Sequence, residues 1–143
     1  MESDNYRPNL DGSHAIVTGA SSGLGRHFAA ILASHGAAVT LAARRVERLE
    51  ALRDEIHSSG GRADLVSLDV TDTGSIEQRL TTHADRFGPA DILINNAGTA
   101  VTKPAMAHGE DDWDHVMDTN LKGLFFCAQH FAKQAVTAIE DGE

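Results

Sequence analysis

The sequence predicts an α/β fold in which helices cover both faces of a doubly wound parallel sheet, with strand order 3-2-1-4. Three observations lead there. Short runs of four to six residues recur that are apolar without alternation, as strands buried on both faces require. Each run is followed by a segment of helical periodicity. Glycine, or a Gly-Pro pair, then closes each of the first three helical segments before the next run. Strands alternating with helices in this rhythm form right-handed crossover units, and ligands bind beyond the strands' C-terminal ends.

The elements follow in order. The first ten residues, "MESDNYRPNL", are a polar lead-in without the cationic and apolar regions of a secretion signal. "HAIVT" (14–18) is the first strand. From Leu24 the apolar positions Leu24, Phe28, Ile31 and Leu32 define one helical face, and Gly36 stops that helix. "AVTLA" (38–42) is the second strand. Val46, Leu49, Leu52 and Ile56 mark the second helix, which ends at "SSGG" (58–61). "ADLVSL" (63–68) is the third strand, and Ile76, Leu80 and Phe87 mark the third helix, closed by Gly88-Pro89. "DILIN" (91–95) is the fourth strand. An irregular stretch (97–109) with Pro104 precedes a long helix, on which Leu121, Leu124, Phe125, Ala128, Phe131, Ala132 and Ala135 share a face. The acids Glu110 to Asp112 suit its N-terminal end.

At 143 residues the chain is read as one domain, 1–143. Hydrophobic residues make up 41% and charged residues 23%, as in an ordinary globular chain. A net charge of −9 argues against nucleic acid as a partner. No apolar run is long enough to span a membrane. The single cysteine, Cys127, excludes an internal disulfide and leads us to expect the cytoplasm. His108, His115 and the acids from Glu110 to Asp114 match no metal-ligand spacing, so no metal is expected.

The segment "TGASSGLG", Thr18 to Gly25, occupies the turn from the first strand into the first helix. Helix N-termini carry unpartnered N–H groups and partial positive charge, so a diphosphate can rest there if no Cβ blocks it. Gly19 is expected to allow the sharp turn, Gly23 to open the approach, and Gly25 to let the helix pack closely. Ser21 and Ser22 offer hydroxyls to the phosphates, and Thr18 and Leu24 complete the segment.

In these residues the chain resembles the short-chain dehydrogenase/reductase family. The family's T-G-x-x-x-G-x-G motif is matched by Thr18, Gly19, Gly23 and Gly25, and its N-N-A-G motif by Asn95 to Gly98. Its Asp-Val pair is matched by Asp69 and Val70, and its helical asparagine by Asn120. The likeness runs from about residue 10 onward and is greatest to reductases of ketones and 3-oxoacyl thioesters. It implies a Rossmann-like sheet and a nicotinamide dinucleotide cofactor. Asp69 would hold the adenine amino group and Val70 the ring through its N–H. Asn96, Ala97 and Gly98 would line the cofactor beside its ribose, Asn95 would tie neighbouring strands, and Asn120 would be catalytic, holding a water in a proton relay. The long final helix would serve subunit contacts in a homo-oligomer.

An NAD site of this type usually carries an acid at the end of the second strand, about 20 residues past the glycines. Here Ala43 stands in that place, followed by Arg44 and Arg45. Guanidinium groups bind a 2′-phosphate well, whereas a carboxylate repels it. NADP(H) is therefore expected over NAD(H), with Arg44 as first contact. The competing reading pairs these arginines with Glu47 or Glu50.

The family's reaction also uses a serine, a tyrosine and a lysine four residues after the tyrosine, all beyond the catalytic asparagine. This chain has no serine after Ser75, and its one tyrosine, Tyr6, has no lysine at that spacing. The expectation is thus the cofactor-binding part of an oxidoreductase acting on a ketone or secondary alcohol, truncated before the later strands. The alternative is a non-catalytic module that binds dinucleotide or docks onto a partner. In either case the fourth strand is expected to be an open edge, liable to pair with another chain.

Overall fold

The structure, a computed structural model, describes residues 8–142, and of residues 83–85 the backbone only. Tyr6 and the first seven positions of the lead-in lie outside the described residues. Four strands, β1 (His14–Thr18), β2 (Ala38–Ala43), β3 (Arg62–Ser67) and β4 (Ile92–Ile94), form one parallel sheet in the order β3-β2-β1-β4. Between them run α1 (Gly23–Ser34), α2 (Val46–Ser58) and α3 (Ile76–Phe87). A 3₁₀ turn (Ala105–Ala107) interrupts the irregular stretch. Then come α4 (Glu110–Met117), a π-helical segment (Asp118–Gly123) and α5 (Leu124–Asp141), which continue one another as a single long helix.

The sheet separates two apolar layers. Val17, Val39 and Leu41 point to one face, where Ala29 and Ala33 of α1 and Leu49, Leu52 and Ile56 of α2 meet them. Ile16, Ala42 and Val66 point to the other, against Ile76 and Leu80 of α3 and Cys127 of α5. Leu49 and Leu52, essentially fully buried, each contribute about 1.5–3 kcal/mol by leaving water.

Three strands differ from expectation in their limits, β2 by running one residue further, to Ala43. β3 is shifted one residue toward the N-terminus, and β4 is shorter than "DILIN". Side chains take over the ladder at both ends of β4. The Asp91 carboxylate accepts the His14 N–H at 2.8 Å, and Thr18 Oγ1 accepts the Asn96 and Ala97 N–H groups at 3.0 and 3.1 Å.

Two helical faces also differ. On α1 the buried residues are Gly25, Ala29 and Ala33; of the expected face only Leu32 packs on the core, while Leu24, Phe28 and Ile31 are on the exposed side. On α5 the packed side carries Cys127 and His130, following Gly123, with Phe126 and Phe131 beside it, while Leu121 and Phe125 are more than half exposed. α1 lies against the sheet through its smallest side chains, and the helix leading into α5 comes closest at Gly123, because only small residues allow that close an approach. A Cβ on Gly123 would stand 2.6 Å from the Val70 carbonyl oxygen. The lead-in ends at Leu10, whose N–H donates to the His35 carbonyl at 2.8 Å while its side chain packs on the core.

Candidate functional site

The parallel topology brings the C-terminal ends of all four strands to one edge. There a cleft of about 330 Å³ is lined by Gly19, Ser21, Ser22, Arg44, Arg45, Asp69, Val70, Asn96, Ala97 and Gly98. These are sequence-predicted residues drawn from four separate strand ends. Thr18 lies just beneath as a buried strut, and Gly25 is buried behind the loop. Leu24 is 66% exposed and is not among the lining residues.

The glycine segment turns as its residue types require. Gly19 has φ +65° and Gly23 φ +56°, conformations that L side chains rarely adopt. A Cβ on Gly19 would press on Ala97 Cα at 2.9 Å, so β1 and β4 approach one another only with glycine there. At Gly23 a Cβ would meet nothing within 4 Å, so the space before α1 is open. A Cβ on Gly25 would run into the Gly19 carbonyl and the Asn96 amide, so its close contact is with the loop as well as the sheet.

The N-terminus of α1 carries no side-chain cap, and its first turn holds no acid. The Ser22 hydroxyl faces elsewhere: Arg45 Nη2 donates to it at 2.8 Å. The same guanidinium donates to Ser21 Oγ through Nε at 3.2 Å and Nη2 at 2.9 Å. Arg45 thus folds back over the glycine loop instead of pairing with Glu47 or Glu50. Uncapped amides, two hydroxyls and two guanidiniums together form a surface complementary to phosphate.

Asp69 sits across the cleft. Burial works to raise its carboxyl, but hydrogen bonds from the Thr71 hydroxyl and N–H, at 2.7 and 3.0 Å, together with the Arg44 charge, outweigh it. The carboxyl is held below the usual range and stays ionised. On the β4 side, Asn96 Nδ2 donates to the carbonyls of Thr18 and Gly19 at 3.1 and 3.3 Å. The tie between strands expected of Asn95 is therefore made by Asn96, whose amide is turned to the loop.

Asn120 lies in the π segment, a local widening of the helix that recurs at functional sites. Its Oδ1 accepts the Thr99 N–H at 2.8 Å and its Nδ2 donates to the Thr99 carbonyl at 2.9 Å. This two-bond clamp fixes the chain just after Gly98. His115, one turn before Thr119, meets the Thr99 hydroxyl at 3.2 Å and lines the cleft. Thr71, Thr99, His115 and Thr119 were not singled out from the sequence for this cleft. Thr99 follows Gly98 directly, and His115 precedes Asn120 on the same helix, which are the only local signals they carry.

A larger groove of about 970 Å³ lies at the other end of α1 and α2, lined in part by His35, Gly36, Ser59 and Gly60. Helix C-termini face it, and their exposed carbonyls repel a diphosphate. Among the described residues no helix is long and apolar enough to cross a membrane.

The sequence matches the family model described as short chain dehydrogenase over residues 13–142. It is 37% identical to gluconate 5-dehydrogenase of Gluconobacter oxydans, covering 90% of this chain and 50% of that protein. It is 38% identical to the 3-oxoacyl-[acyl-carrier-protein] reductase FabG of Staphylococcus aureus, covering 84% of this chain and 49% of that one. Among solved structures, a gluconate 5-dehydrogenase of Burkholderia cenocepacia in complex with NADP and tartrate superposes with a TM-score of 0.85 at 34% identity. It covers 92% of this chain and 51% of its own. The chain thus spans about half the length of these relatives.

Proposed function

The chain belongs to the short-chain dehydrogenase family, and from that premise we propose that it is the cofactor-binding part of an oxidoreductase using NADP(H). The reaction is hydride transfer between that cofactor and a ketone or secondary alcohol. One observation carries the reading. The uncapped start of α1, the Arg45–Ser21–Ser22 cluster, ionised Asp69 and the Asn96–Gly98 strand end all border one cleft.

In this reading the α1 amides and the open space at Gly23 receive the diphosphate. Arg44 and Arg45, with Ser21 and Ser22, receive the 2′-phosphate, and Arg45 is already in place on the loop. Asp69 and Val70 hold the adenine, and Ala97 and Gly98 border the ribose. Bound here, the nicotinamide would supply the hydride. Asn120 positions the loop through Thr99 and holds the water that serves the proton relay. The NADP complex of the Burkholderia relative supports the cofactor choice. The proposed setting is the cytoplasm, and the outward apolar side of the π segment and α5, with Leu121 and Phe125, is the proposed contact for a second copy.

Calorimetric titration of the full chain with NADPH and NADH tests this. NADPH should bind more tightly to the wild type, and Arg44→Ala or Arg45→Ala should lose about tenfold or more for NADPH with NADH unchanged, as charged hydrogen bonds warrant. Equal wild-type affinities for both cofactors sink the preference for NADP(H). Undiminished binding by Gly23→Val sinks the whole assignment. A second reading, a non-catalytic dinucleotide-binding or partner-docking module, draws on the sheet order, which leaves one side of β4 unpaired. Binding of NADPH without turnover of any carbonyl would favour it.

A further inference from the structure

Along the seam between α3 and α5 runs another cleft of about 500 Å³, bordered by the Gly88–Pro89 turn. His130 forms part of its wall. The residue is 7% exposed, and its Nε2 is fully buried without a hydrogen-bond partner. It is the one such side-chain nitrogen or oxygen among the described residues. A buried ring nitrogen without a partner costs free energy when neutral, and much more once charged.

The groups around it decide what a proton would do. Burial, the largest influence, pulls the imidazole below the ordinary histidine range; Glu77 of α3 pulls the other way, and Lys133 on α5 adds to burial. Asp141 lines the same cleft further along α5, and the Cys127 thiol, one turn earlier, is pushed up by burial to about 11 and stays neutral. The polar link across the seam is slight: Gln134 Nε2 donates to Thr81 Oγ1 at 3.4 Å. Among the described residues, little besides apolar contact therefore holds α5 to α3 here.

We propose that His130 is a proton-operated latch on this seam: the neutral ring keeps α5 seated on α3, and protonation turns the ring to water and opens the seam. The direction follows from linkage. A group whose pKa is lower in the closed state binds its proton more readily in the open one, so opening is favoured as pH falls through the ordinary histidine range. Because α5 continues into the π segment, opening also slackens the Asn120 clamp on Thr99. The latch stands independently of the cofactor reading.

The test is site-resolved amide hydrogen exchange on the full chain at about pH 7.5 and about pH 5.5, corrected to protection factors. In wild type, α5 and the facing side of α3 should lose protection several-fold on acidification while β1 and β2 keep theirs. His130→Phe and His130→Gln, which cannot take the proton, should hold α5 protection across the same range. The glutamine variant keeps the test alive if phenylalanine does not fit. A third arm follows the His130 ring by NMR in wild type, where it should titrate below the ordinary histidine value. Equal loss of protection in the variants, or a ring that titrates at or above the ordinary value, overturns the latch.

Discussion

The Thr18 hydroxyl accepts two backbone N–H groups, from Asn96 and Ala97, and donates to the Ile94 carbonyl at 3.4 Å. One side chain so fixes the end of β4 against the start of the glycine loop. Thr18→Val keeps the shape and removes both acceptor bonds, leaving two half-buried donors unpaired. The expected cost is about 1–3 kcal/mol in urea unfolding, and a variant as stable as wild type would show that the strut is dispensable. Asp69 offers a pH-dependent companion. Its folded pKa lies below its unfolded one, so the carboxylate stabilises the fold above the ordinary value of 3.8. That contribution is lost as pH falls through the folded pKa. Thr71→Val removes one of the bonds responsible. The stability gap between variant and wild type should be widest well above the ordinary value of 3.8 and narrow as pH falls below it; a gap constant with pH argues against the assignment.

The helices show where periodicity succeeds and where it misleads. On α2, Leu49, Leu52 and Ile56 were read from spacing and are the buried residues. On α1, the large residues Leu24, Phe28 and Ile31 carry the stronger pattern, yet Gly25, Ala29 and Ala33 make the contact. An apolar stripe in sequence has no sign telling which side meets the sheet when two stripes compete, and close approach favours the one with less volume. The faces can be told apart experimentally. Ala29→Leu should cost about 1–3 kcal/mol by overpacking, and Leu24→Ser, at a position 66% exposed, should stay within about 0.5 kcal/mol, both read from thermal or urea melts. The reverse ranking would place α1 the other way round. Gly123→Ala belongs with Ala29→Leu, since its added methyl meets the Val70 carbonyl.

For the molecule as a whole, two helical layers close on one sheet, and Cys127 lies at 0% exposure inside one of them. Burial pushes its thiol to about 11, so only unfolding should make it reactive. Labelling with a thiol reagent at about pH 8 should therefore proceed at the rate of global opening; rapid labelling of the native chain would mean that α5 is not seated as described. Much of the site could be read before the fold was known. The motifs sit at strand ends, and a parallel sheet sends all those ends to one edge. What could not be read were the links that complete the cleft. Arg45 reaches Ser21 across 24 positions, and Asn120 reaches Thr99 across 21. The sequence alone determined the order of strands and helices, the membership in a dehydrogenase family and the place of the glycine loop before α1, because local patterns and glycine positions encode these. The tertiary structure decided which helical faces are covered, which asparagine ties the strands and which arginine lies over the loop, because each depends on how closely distant segments approach.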